Sequence, residues 1–242
     1  MSDDDEVTEP ETPRSRRDRR RRERWTGLGT ALALVAMVGF GIALWHVADH
    51  GGCDEETPAV FSHFYHVTDG TMSPQILPGE WIWVRRRYYC TSAPQRGNLA
   101  VLAPTRADEH YWLGRIVGLP GDRVQIQNGR LAINGTPVEQ EWLQSEIHDR
   151  PSGAPRHVSL FTESLPRGPR YRIEIDDPHG AMENTAEITV PADHYYVLGD
   201  GRDQSYDSRA PAVGPVPRAL IVDRPVWILW GETWNRVIRR IQ

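Results

Sequence analysis

From Trp25 to Val47 the chain passes through 23 positions without a charged residue, and eight arginines (Arg14, Arg16, Arg17, Arg19, Arg20, Arg21, Arg22 and Arg24) stand directly before it. A helix of that length rises about 34 Å, enough to cross a hydrocarbon core of about 30 Å. Trp25 and Trp45 lie near its two ends, where indole rings favour the membrane interface. A cleaved leader usually has a shorter apolar region of about 7–15 residues, and this run offers no convincing small-x-small cleavage site before Asp49. Asp49, Asp54, Glu55 and Glu56 follow the run, and the next arginine is Arg85. The positive-inside rule therefore puts the N-terminus in the cytoplasm and the rest of the chain outside. The expected organisation is a cytoplasmic Arg-rich tail at 1–24, a transmembrane anchor at 25–47, a linker at 48–65 and an exterior domain at 66–242.

Composition narrows the chemistry. All 28 basic residues of the 242 are arginine, so any step that needs a lysine amine, as base or as Schiff base, is excluded. A net charge of −5 argues against a nucleic-acid partner. Cys53 and Cys90 both fall on the outer side, where a disulfide can persist. A zinc site built from them with His63 and His66 matches no common ligand spacing. No metal and no cofactor are expected.

The exterior chain reads as mainly β. Short runs rich in Val, Ile, Trp and Tyr recur at Trp81–Val84, Leu99–Leu102, Tyr111–Val117, Val124–Gln127, Arg130–Ile133, Ile188–Val190 and Tyr195–Leu198. Asn128-Gly129 and Asn134-Gly135 are hairpin signals, since both residue types tolerate positive φ. Strands with frequent turns predict an antiparallel sheet domain. The stretch at about 140–187 has weak periodicity and reads as a cap insertion. The C-terminal WILWGETWNRVIRRIQ predicts a last strand or helix near a membrane surface. Trp81, Trp83, Trp112, Trp227, Trp230 and Trp234 line a groove, meet a bilayer or, for at least half of them, pack the core.

Three segments in order, DGTMSPQILPGE (69–80), YWLGRIVGLPGD (111–122) and GDGRDQSYDSR (199–209), resemble the type I signal peptidase family. That family removes signal peptides from exported proteins at the outer face of the inner (cytoplasmic) membrane. The resemblance covers about residues 60–242 plus the anchor. It implies a signal-peptidase-type antiparallel β domain with a cap, held by a single N-terminal span. The family's chemistry is a Ser–Lys dyad in which a desolvated lysine activates the serine. Carried over by position, the nucleophile falls on Thr71, the lysine on Gly114, and the oxyanion-assisting serine on Asp69. The serine that orients the lysine is retained as Ser205. Gly70, Met72, Pro74, Arg115, Asp122, Asp200, Arg202, Asp203, Asp207 and Arg209 are retained scaffold positions. Asp207 with Arg209, and Asp203 with Arg202 or Arg115, are the expected ion pairs.

Each departure opposes hydrolysis. Thr71 keeps a hydroxyl but carries a β-methyl that restricts χ1. Gly114 supplies no base, and Asp69 sets an acceptor where a developing oxyanion needs donors. His110, four residues before Gly114, is about 13 Å away along a strand. His63, His66 and His194 are the other candidate bases, and Ser73 is a second candidate nucleophile. Three functions follow as expectations. The first is an inactive family member that binds preprotein signal peptides or an active signal peptidase. The others are an active peptidase with a rearranged site and a scaffold whose cleft is closed.

Overall fold

The structure is a computed structural model that describes residues 62–103, 111–148, 155–176, 182–231 and 233–241. The chain enters β1 (Ser62–His66), inside the stretch expected as linker, and returns along β2 (Trp81–Arg85). Strict alternation along β2 buries Ile82 and Val84 and turns Trp81, Trp83 and Arg85 outward, as one buried face requires. One helical turn, α1 (Tyr88–Thr91), leads to β3 (Leu99–Leu102) and β4 (Trp112–Gly118). β3 is buried at all four positions, so it reads as a continuous apolar run without alternation.

The two Asn-Gly pairs turn the chain as expected. Asn128 and Gly129 have φ of 49° and 74°, Asn134 and Gly135 54° and 79°. That left-handed geometry suits tight hairpins. The pairs join β5 (Arg123–Gln127) to β6 (Arg130–Ile133), and β6 to β7 (Thr136–Pro137).

The region expected to be irregular holds three well-formed strands, β8 (Glu139–His148), β9 (Arg156–Ser164) and β10 (Arg170–Ile175), in one antiparallel sheet ordered β10-β9-β8. Its periodicity is weak because β8 has no buried residue on either face. The chain then runs through β11 (Ile188–Thr189), β12 (His194–Leu198), β13 (Val216–Pro217), β14 (Ile221–Trp230) and β15 (Arg239–Arg240).

The main sheet is ordered β1-β2-β14-β3-β4-β12-β13 with β15 on β14, and a smaller sheet is ordered β11-β5-β6-β7. Every pairing of named strands given by the register is antiparallel, which bears out the expected mainly β class. One core cluster, with Met72, Ile76, Ile82, Val84, Leu99, Val101 and Ile228, packs beneath β1–β3. A second joins β4, β5 and β6 to the cap through Tyr171 and Ile173.

Two expectations change here. None of the six tryptophans is buried: Trp81, Trp83, Trp230 and Trp234 are exposed, and Trp112 and Trp227 partly so. Four of them lie on β2 and β14, with Trp83 opposite Trp227 and Trp81 opposite Trp230, while Trp112 is on β4 and Trp234 follows β14. The C-terminal segment holds the end of β14 up to Trp230, one 3-10 turn at Trp234–Arg236 and the short β15. The tail and the 25–47 run lie outside the described residues, among which no helix is long and apolar enough to cross a membrane. Cys90 is disulfide-bonded, and the only other cysteine in the sequence, Cys53, also lies outside them.

Candidate functional site

The first box is a loop between β1 and β2, pinned at both ends. The N–H of Val67 donates to the Glu80 carbonyl, and that of Gly79 to the Val67 carbonyl. Glu80 accepts the Leu77 N–H and ion-pairs with Arg236, while Met72 and Ile76 anchor the loop in the core. Gly79 has φ of 83°, a conformation that favours glycine. The loop presents Thr71, whose potential reactive groups are both engaged internally. Its N–H donates to Asp69 Oδ1 at 3.0 Å, and its hydroxyl is directed at the Gln204 carbonyl at 3.4 Å. A backbone N–H at the nucleophile is a common oxyanion donor. Here the carboxylate of Asp69 occupies it.

The second box is β4 and the turn after it. Gly114 is buried, and a Cβ built on it stands 2.3 Å from Val197 Cγ1 on the neighbouring β12. The volume that a side chain needs at this position is therefore filled by valine. Arg115, one residue on, is fully buried. Its Nε and Nη2 bind both oxygens of Asp200 at 2.7 Å, Nη1 donates to the Gly97 carbonyl, and the guanidinium lies 4.0 Å from the centroid of the Tyr171 ring. Burial pushes the Asp200 carboxyl up against the opposing pull of Arg115. Asp122 closes the turn by accepting the Leu119 N–H and pairing with Arg96.

The third box wraps around the end of β12. Arg209 pairs with Asp207, as expected, and Asp207 also accepts the Gly199 N–H. The other expected pairs are replaced among the described residues by partners from the cap and, for Arg115, from the third box itself. Arg202 binds Glu163 of β9 through both terminal nitrogens, Arg115 takes Asp200, and Asp203 accepts the Asp176 N–H. Gln204 donates to Glu174 of β10, which also pairs with Arg156. Gly201 approaches the Gly70 carbonyl so closely that an added Cβ would lie 2.2 Å from it. Only glycine permits that contact between the first and third boxes. Beside it, a Cβ at Gly199 would stand 2.4 Å from Ser205 Oγ and 2.6 Å from the Thr71 carbonyl, which puts Ser205 next to the nucleophile position. The Ser205 hydroxyl is buried without a hydrogen-bond partner among the described residues.

A groove runs beside this cluster. Among the described residues β1 ends the main sheet with β2 as its only strand neighbour. Among them too, β4 pairs with β12 only from Arg115 onward, so its Trp112–Gly114 edge carries no described strand on that side. Tyr65, His66 and Asp69 on one flank and Tyr111, Trp112 and Leu113 on the other line the space between, about 70 Å³. The Tyr65 and Tyr111 rings meet across it at 5.7 Å.

The candidate bases are elsewhere. Among the described residues no histidine is hydrogen-bonded to Thr71 or Ser73: His194 Nδ1 contacts the Ala192 carbonyl, and His66 stacks on Trp81. The His63 Nε2 is buried and unpartnered, with its pKa lowered by burial and by Arg86. His110 lies outside the described residues. Glu163, Glu174, Gln204 and Val197 were not foreseen from the sequence. The one trace of them is Glu163, buried out of phase with Val158 and Leu160 on β9.

The family model "Signal peptidase, peptidase S26" matches residues 57–230. Signal peptidase I of Pseudomonas aeruginosa is 29% identical, covering 69% of this chain and 65% of its own length. That of Leptolyngbya laminosa is 29% identical (68% and 67%), and that of Rickettsia bellii 32% (58% and 50%). The chain thus spans half to two thirds of the length of these relatives. A crystal structure of a signal peptidase I from Enterococcus faecalis matches with a TM-score of 0.31 at 24% identity, over 54% of this chain and 94% of that one. The match to the family model, over well more than half the sequence, shows that the chain belongs to the signal peptidase, peptidase S26, family.

Proposed function

We propose that this chain is a membrane-anchored family member that binds extended segments of exported preproteins, or an active signal peptidase, without hydrolysing them. The carrying observation is the state of Thr71, with its N–H held by Asp69 and its hydroxyl turned to the Gln204 carbonyl. A missing oxyanion donor alone commonly costs about 10²–10³ in rate. Gly114 offers no base, and the whole chain contains no lysine to replace one. Peptide binding is supported by the two unpaired strand edges that flank the groove, since an extended segment adds to such edges through its own backbone. Anchorage is supported by the uncharged run at 25–47 with its arginine flank, and by the outward row of tryptophans, a residue suited to the membrane–water interface.

The test uses full-length protein in detergent or bilayer with a preprotein bearing a small-x-small cleavage site, and Thr71→Ala as control. The expected result is retention of the preprotein without cleavage. Cleavage that disappears in Thr71→Ala would overturn the reading in favour of an active peptidase with a rearranged site. Neither cleavage nor retention by folded protein would leave a scaffold.

A further inference from the structure

Charge divides the site unevenly. Asp200, Asp207, Glu163 and Glu174 each hold an arginine. Asp69 makes no ion pair among the described residues, and it is exposed at the groove. Only Oδ1 is engaged, by the Thr71 N–H. The other oxygen is a carboxylate acceptor, and Asp69 lines the groove together with Tyr65, Tyr111 and Trp112. No arginine is among the described residues lining this groove, and the nearby Arg86 charge acts on Asp223 and His63.

Aromatic faces attract cations electrostatically, and a carboxylate beside them completes a site for one. The groove's enclosed volume of about 70 Å³ is room for a few waters or for the head of one side chain. We propose that the groove receives an extended peptide carrying a cationic group, an ammonium or a guanidinium, seated against the free oxygen of Asp69. The open edges of β1 and β4 hold the peptide backbone, and Asp69 selects by charge. This inference rests on the peptide-binding reading above and adds the class of ligand. An acidic or uncharged side chain at that register leaves the carboxylate unanswered or repelled, so the site discriminates as well as binds.

The test is fluorescence anisotropy of short labelled peptides titrated with the full-length protein in detergent. One position is scanned with Lys, Arg, norleucine and citrulline, the last two nearly isosteric and uncharged. Acetylated and free-amine forms of the norleucine peptide are added, and all are measured again with Asp69→Asn. Asparagine keeps an acceptor for the Thr71 N–H, so the loop is retained while the charge is removed. The expected result is that Lys and Arg peptides bind about tenfold more tightly than norleucine and citrulline, a preference that falls to about twofold or less in Asp69→Asn. Tight binding of the free-amine norleucine peptide, lost on acetylation, supports the proposal with a peptide N-terminus as the source of the cation. Equal binding of charged and uncharged peptides, or a preference that survives Asp69→Asn, overturns the proposal while peptide binding stands. If no peptide binds to folded protein, the peptide-binding reading fails, and this inference with it.

Discussion

Gly114 and Arg115 are adjacent on β4 and stand in opposite relations to their surroundings. Arg115 is buried with its donors matched by Asp200 and the Gly97 carbonyl. Gly114 meets Val197 where a side chain would begin. The same contrast extends outward: Arg202 and Arg209 are fully engaged, whereas Ser205, in the same turn, has an unmatched hydroxyl. One set of residues holds the loops in place, and the other is where chemistry would occur. The structural set is held by matched hydrogen bonds and ion pairs, while Gly114 carries no side chain and the Thr71 N–H and hydroxyl turn to Asp69 and the Gln204 carbonyl.

The strongest way to break that contrast is to remove a structural charge. Asp200→Ala leaves Arg115 buried and unpaired, and should cost about 3–5 kcal/mol in urea unfolding followed by tryptophan fluorescence. Arg115→Met with Asp200→Leu should recover most of the loss, because an apolar pair of similar volume needs no desolvated charge. A single-variant cost under about 1 kcal/mol would show that the ionic set is not the structural one.

Next in size is the blocked base position. Gly114→Lys should destabilise by about 1–3 kcal/mol through overpacking against Val197. Adding Val197→Ala should relieve part of that cost, so that the two changes are measurably non-additive. Strict additivity would mean that Val197 is not what fills the position.

Smaller still is Ser205→Ala. Removing a buried hydroxyl without a partner should leave stability unchanged or raise it by up to about 1 kcal/mol. A loss above that range would reveal a partner for the hydroxyl. The smallest effect belongs to His63, whose folded pKa lies below the ordinary histidine value of about 6.5 because of burial and Arg86. The unfolded chain then binds more protons in acid, so the stability from the neutral ring is present above pH 6.5 and is lost as pH falls through the folded pKa. Wild type should therefore lose slightly more stability than His63→Gln between pH 7 and pH 5, read as the difference in urea midpoints.

How much of this was legible in the sequence depends on the range of each interaction. The Asn-Gly turns are local, and they appear where two residues predict them. β3 and β6 match the expected runs because burial there is written directly as apolar residues. β8 was missed because both its faces meet solvent, which removes the alternation that marks a strand. Thr71, Gly114 and Asp69 could be named from their motifs, but not the contacts that surround them. The Val197 contact depends on how β12 crosses β4, with a register shift between Tyr196 and Val197. Glu163 lies 39 residues from Arg202 in sequence, so its pairing exists only once the cap has folded back.

That long-range pairing has a consequence for how the domain opens. The cap is tied to the third box by Arg202–Glu163, by Gln204 on Glu174, and by the Glu174 N–H on the Asp200 carbonyl. Its outer strand is solvated on both faces, which in isolation would make it an early site of local unfolding. The ties run to residues that also position Arg115 and Thr71, so β9 and β10 cannot detach without unpairing buried charge in the main body. Amide hydrogens of those two strands therefore exchange with solvent only in the same cooperative event as β4 and β12, while those of β8 exchange ahead of it.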